Sequence, residues 1–227
     1  MSWLITFLRS SIGRKLVMSL TGLFLITFLL VHLIGNLQLL YNDGGEAFNI
    51  YAYFMTHNPL IKTVSYGLYF FILLHAVQGI LLAVQNKSAK GSKYAVSKET
   101  PGSWASKNMA LLGILILAFI FLHMGDFWLK MKMGQLDMVE YEGYDYAVKD
   151  LYARVNMAFA ELWIVVCYLI GLAALAFHLI HGFGSAFQTL GLRHKKYTPL
   201  IHGVGVAYSI LIPIGFAIIP LYVYFIK

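Results

Sequence analysis

A chain of 227 residues that is 59% hydrophobic and only 12% charged, with a mean hydropathy of +0.72, lacks the charge to cover its own surface in water; soluble domains carry about 25% charged residues. These proportions exclude a soluble enzyme, a nucleic-acid-binding domain and a disordered tail. The net charge of +7 is read first by membrane side, and the single cysteine, Cys167, excludes a disulfide framework, a thiolate zinc site, an iron–sulfur cluster and a c-type haem attachment.

Arg9, Arg14 and Lys15 precede the first apolar run. That run is too long for a secretory signal and lacks a small-residue cleavage site. Residues 1–15 read instead as an amphipathic start, with Trp3, Leu4, Ile5, Phe7 and Leu8 against the bilayer. Runs of about 20 apolar residues, enough to span a membrane, follow at roughly 16–40, 60–86, 108–130, 156–187 and 200–226. Only Glu161 interrupts the fourth. No period-two alternation suggests barrel strands. The expected fold is an all-α integral membrane protein, one domain over 1–227, with five transmembrane helices and a bundle formed by the first four. The segment at 87–106 reads as a flexible connector. The acidic, Tyr-rich segment at 131–155 is expected to fold over the opposite face.

Lysine and arginine orient these spans. The N-terminal segment (Arg9, Arg14, Lys15), the second loop (Lys87, Lys90, Lys93, Lys98, Lys107) and the fourth loop (Arg193, Lys195, Lys196) hold eleven of the 17 bases and one acid, Glu99. The other side holds six bases and nine acids, Asp137, Glu140, Glu142, Asp145 and Asp150 among them. Bases prefer the cytoplasmic face, which places the N-terminus inside and the C-terminus outside.

His32, His75, His123 and His178 each lie in a different one of the first four spans. One such histidine is ordinarily an interhelical hydrogen bond, worth about 1 kcal/mol or less. Four of them pair by depth. His32 and His123 are about 8 and 7 residues from the outer ends of their helices, roughly 10–12 Å deep. His75 and His178 are about 15 and 20 residues in, roughly 20–30 Å deep. Two histidine pairs at two levels of a helix bundle are what two bis-histidine haems b require. With no open coordination position, such haems carry electrons rather than bind oxygen.

His75 and His178 each begin an H-x-x-x-G pattern, ending at Gly79 and Gly182. A glycine one turn on leaves bare backbone for a flat ring, and Gly22, Gly35, Gly113 and Gly171 are further candidates. His181, three residues after His178, is the rival ligand. His57 and His194 read as solvated loop residues. His202 sits near the inner end of the last span, where a propionate, a partner or nothing in particular faces it.

Ser10-Ser11-Ile12-Gly13-Arg14-Lys15, the Thr21-Gly22 pair and the run His32-Leu33-Ile34-Gly35-Asn36-Leu37 resemble the dihaem cytochrome b membrane anchor of succinate:quinone oxidoreductases (succinate dehydrogenase and fumarate reductase, complex II), in its single-anchor form. The resemblance covers essentially the whole chain. It implies His32 with His123 at an outer haem iron and His75 with His178 at an inner one. It also implies a flavoprotein subunit and an iron–sulfur subunit on the cytoplasmic face of a bacterial inner membrane. Electrons would pass through both haems to a quinone, usually menaquinone, in the respiratory chain and tricarboxylic acid cycle. Related fumarate reductases have a glutamate two residues before the fourth-span ligand; Ala176 stands there in this chain, so that proton route is not transferred.

Quinone reduction needs proton donors near the outer haem. Glu46, Asp126 and Glu161 are the candidates, with Asn36 and Gln38 as amide donors. The plainer reading of Asp126 and Glu161 is interfacial pairing with Lys130 or Arg154. Trp104, Trp128, Tyr222 and Tyr224 read as an interfacial aromatic belt. The alternatives are the cytochrome b of a nitrate reductase, hydrogenase or formate dehydrogenase, which usually gathers two ligands on one helix, and a proton-coupled transporter, which commonly has repeated halves.

Overall fold

The computed structural model describes residues 3–89 and 104–227. Lys90, Lys93, Lys98 and Glu99, expected in a flexible connector, lie outside the described residues. Five helical segments are long and apolar enough to cross a membrane: Ser11–Leu40, Pro59–Asn86, Met109–Lys132, Leu162–Thr189 and Thr198–Ile226. Their outward residues are apolar, with Phe121, Leu73 and Leu211 all more than half exposed.

The chain opens with α1 (Trp3–Arg9), which turns sharply at Ser10 into α2 (Ser11–Asn36). The Ser10 hydroxyl accepts from the Gly13 amide at 3.0 Å and caps α2. A Cβ on Gly13 would fall 2.1 Å from the Phe7 carbonyl oxygen, so only glycine lets α1 fold back on that turn. A 3-10 turn, Leu37–Leu40, ends this first span.

Gly45, at φ 90°, then starts α3 (Glu46–His57), a surface helix with no counterpart in the sequence reading. Asp43 accepts from the Gly45 and Ala47 amides at 2.9 and 3.0 Å. Tyr152 lies against the bare Cα of Gly45, where a Cβ would come within 2.3 Å. Asn58 accepts from the Leu60 and Ile61 amides at 3.0 and 3.2 Å. Pro59 occupies the first position of α4 (Pro59–Ala89), where no amide donor is needed.

The short α5 (Trp104–Lys107) replaces the end of the expected connector with a helical turn. Next come α6 (Met109–His123), a π-helical turn Met124–Leu129 and α7 (Lys130–Lys132), which together make the third span. The acidic segment folds as an antiparallel hairpin of β1 (Met138–Val139) and β2 (Val148–Lys149), with Met138 opposite Lys149.

Two boundaries differ from the sequence reading: residues 11–15, expected in the interfacial start, belong to the first span, and the fourth span begins later than expected. Residues 156–159 belong to a separate helix, α8 (Leu151–Phe159), and the fourth span begins at Leu162 with α9 (Leu162–Thr189). Glu161 is extended (φ −92°, ψ 112°) and breaks the helix without any glycine or proline to announce it. The last span is α10 (Thr198–Ile226), which carries Pro213 and Pro220. α3, the hairpin and α8 gather at the end of the bundle away from α1. There Leu39, Phe48, Val155, Phe159, Val165 and Ile219 join the principal buried core.

Candidate functional site

α2, α4, α6 and α9 pack in a closed ring in that order, with α9 completing it against α2 and α10 lying outside against α9 and α2. α2 and α6 therefore face each other along one diagonal, and α4 and α9 along the other. A histidine pair bridges each diagonal. The His32 and His123 ring centroids are 5.7 Å apart, and those of His75 and His178 are 6.2 Å apart.

The levels differ. His32 lies eight residues before Leu40 and His123 nine before Lys132, about 12–14 Å from that end of the bundle. His75 and His178 each lie sixteen residues after their helices begin, about 24 Å from the same end. The structure thus brings together the histidines that depth pairs in the sequence. It sets His178, not His181, beside His75; His181 is half-buried on the neighbouring turn.

No family model, curated protein or solved structure matches the chain.

Whether these residues fit a metal-centred group is a question of spacing and of free nitrogen. Two imidazoles that take one metal from opposite sides, with bonds of about 2 Å, have centroids roughly 6 Å apart. Both pairs have that spacing. Among the described residues, no three His, Cys, Asp or Glu side chains cluster as a bare ion would need. A pair of imidazoles alone would suit a metal-centred group that brings further donors of its own.

Three of the four Nδ1 atoms have a polar neighbour. Thr21 Oγ1 lies 3.0 Å from His75 Nδ1, and Tyr168 Oη lies 3.2 Å from His123 Nδ1. The His178 Nδ1 is buried without a partner. Asn36 donates to the His32 carbonyl at 2.8 Å, and its amide nitrogen is 3.2 Å from His32 Nδ1. A ligating His32 carries its proton on Nδ1, which requires that contact to turn. No Nε2 of the four makes a hydrogen bond among the described residues.

Aromatic side chains wall the His32–His123 pair. Phe28 stacks on His32 at 5.1 Å and Phe216 lies 5.6 Å from it; Phe119 and Phe127 flank His123 at 5.8 and 5.5 Å. Two glycines expected to leave room for a flat ring do not. Tyr51 fills the space beside Gly35 and Phe119 the space beside Gly171, each within 3 Å of where a Cβ would sit. These glycines admit aromatic side chains of neighbouring elements. Gly22 abuts His75, Gly79 abuts the Met18 methyl, and Gly113 and Gly182 have open space beside them.

The three acidic candidates sit in separate elements. Glu46 is in the first turn of α3, and Glu161 is exposed at the start of α9. Asp126, in the π turn, is held by Lys130 at 2.8 Å and by Arg154, which comes from α8. That geometry gives Asp126 a structural task, tying α8 to the third span. Gln38 lies half-buried in the 3-10 turn. His57 ends α3, exposed and stacked on Tyr53 at 3.9 Å. His202 is exposed beside Arg193, His194 and Lys195 in a shallow basic cleft at the start of α10.

Of the belt residues, Trp128 donates to the Tyr69 hydroxyl at 2.8 Å, and Trp104 lies edge-on to Phe177. Sequence reading missed Thr21 and Tyr168 as partners of the histidines. Tyr168 does leave a signal: a tyrosine seven residues into an apolar span needs somewhere to place its hydroxyl.

Proposed function

We propose that this chain is the membrane-anchor cytochrome b subunit of a succinate:quinone oxidoreductase, holding two haems b between its first four spans. The observation that carries the reading is the pair of diagonal histidine couples, 5.7 and 6.2 Å between centroids, at two levels. When bound, the haems would supply one-electron transfer between an iron–sulfur partner and menaquinone or another quinone. His32 and His123 bind at the outer level, His75 and His178 at the inner. Phe28, Phe119, Phe127 and Phe216 exclude water from the outer pair.

The choice of succinate chemistry, with flavoprotein and iron–sulfur partners on the basic face and the dicarboxylate site on another subunit, rests on the resemblance of the Ser10–Lys15 and His32–Leu37 motifs. In this reading the basic face is cytoplasmic, in a bacterial inner membrane. Glu46 and Glu161 are the remaining acids for proton delivery to the quinone, with Asn36 and Gln38 as amide donors from the end of the first span. Asp126 is retained as a weaker candidate, because its carboxylate is already engaged by two cations.

The test is a dithionite-reduced minus oxidised spectrum of the purified protein, with haem counted per chain as the pyridine haemochrome. Two low-spin b haems are expected. His75→Ala or His178→Ala removes one of them and leaves the other. A folded wild-type protein without haem overturns the reading and brings the transporter forward. A folded single variant that loses both haems, or neither, overturns the pairing. Succinate:quinone turnover by the assembled complex then separates this assignment from a nitrate reductase, hydrogenase or formate dehydrogenase subunit.

A further inference from the structure

Thr21 has no task in the reading above, yet with Gly22 it lies directly against His75. Thr21 is buried in α2 at 4% exposure. Its hydroxyl has one proton to give, and Oγ1 sits 2.8 Å from the Val17 carbonyl and 3.2 Å from the Met18 carbonyl. The Val17 contact is the shortest of the three and a carbonyl can only accept, so the geometry directs the proton to the helix backbone. The same oxygen is 3.0 Å from His75 Nδ1. With its proton committed, Oγ1 can only accept there, and His75 must carry its own proton on Nδ1. The lone pair is then on Nε2. Gly22 completes the seat. A Cβ at that position would be 3.3 Å from His75 Cε1, closer than an ordinary contact, so the bare backbone lets the imidazole lie where it does.

We propose that Thr21 is a positioning residue for His75, selecting the tautomer that ligates through Nε2 and tuning the electron affinity of the iron His75 would bind. The proposal rests on the dihaem reading and deepens it. A hydrogen bond accepted from Nδ1–H makes the imidazole a stronger base toward its metal. A stronger base favours the oxidised metal, so losing the bond favours the reduced one.

The test is a potentiometric titration of the two haems in the full-length protein carrying Thr21→Val. At a fixed ambient potential, the reduced-to-oxidised ratio of one haem is expected to rise about tenfold, or about 59 mV for a one-electron couple. The other haem is expected to stay in place, and Thr21→Ser is expected to restore the wild-type value. Thr21→Ala repeats the measurement without the β-branch if the valine variant does not fold. Unmoved potentials, or equal shifts of both haems, overturn the proposal. If the wild-type protein binds no haem, the dihaem reading fails separately. Nitrogen-15 NMR of the histidine rings in the full chain then reads the tautomer directly: a proton on His75 Nδ1 that Thr21→Val removes supports the selection, and a proton on Nε2 in the wild type overturns it.

Discussion

Asn49 shows how one buried amide can assemble a surface layer from three distant pieces of chain. It is 1% exposed. Its amide nitrogen donates to the Tyr141 hydroxyl at 2.9 Å and to Asp150 Oδ1 at 3.0 Å, while its oxygen accepts from the Tyr152 amide at 2.9 Å. Asp150 in turn caps α8 through the Ala153 amide at 2.9 Å. Burial pushes the Tyr141 hydroxyl above its ordinary range, further from ionisation. Asn49→Ala leaves the Tyr152 amide without its partner and is expected to cost about 1–3 kcal/mol. Asn49→Asp is expected to cost at least as much, because it cannot donate and sets a second carboxylate against Asp150. Thermal unfolding in detergent, with lipid-facing Leu73→Ala as the reference, checks both. Nothing local in the sequence marks this residue, because its three partners lie about a hundred positions away.

At the scale of the element, the third span is the least regular, and its irregularity begins immediately after His123. The π turn Met124–Leu129 places Asp126 where Lys130 and Arg154 both reach its carboxylate. Such turns are rare and are found most often at functional sites. The Asp126 and Arg154 side chains are only 12% and 17% exposed, and breaking a largely buried pair by removing one partner costs about 3 kcal/mol. Asp126→Asn is therefore expected to lower the melting temperature and loosen α8. Faster proteolysis near Arg154 is the signature of a structural role; under the proposed dihaem reading, quinone turnover is then expected to be unchanged, and its loss in a stable variant would return Asp126 to proton chemistry.

The five long elements were legible because an apolar run of about 20 residues admits few other structures. α3 and α8 were not, since short amphipathic helices owe their stability to what they pack on. The break at Glu161 was hidden for the same reason. Nothing in its neighbours forbids a helix, and the extended residue exists because α8 turns onto the core beside α3 and α10. A glycine in a span does not reveal what fills the space beside it. At Gly35 and Gly171 the bare backbone receives Tyr51 and Phe119, a use that depends on which other helix packs there.

For the whole molecule, the separation of charge implies an orientation that can be measured. The exposed bases Lys15, Lys107, Arg193, Lys195 and Lys196 lie at one end of the bundle, and the acidic hairpin with α3 and α8 at the other. With bases held inside, alkaline phosphatase fused after Lys227 is expected to be active and a green fluorescent protein fused there dark. The reverse pattern would turn the molecule over and move the proposed docking face with it. Histidine depth was readable at this scale because rise per residue is nearly constant in a helix. The cyclic order of the helices was not, since hydropathy records how far each residue sits along a span and nothing about which span stands beside it.

That cyclic order has a consequence for how the molecule is made. Because the pairs lie on diagonals, neither can form from one helical hairpin. His32 meets His123 only once the third span has emerged from the ribosome, and His75 waits for the fourth, more than fifty residues later. Synthesis proceeds at about 5–20 residues per second, so the second pair lags the first by several seconds. The two levels of the bundle therefore gain their last histidine in a fixed order, His123 first and His178 second, and until α9 arrives only α4 packs on both α2 and α6, so the ring around the first pair is still open.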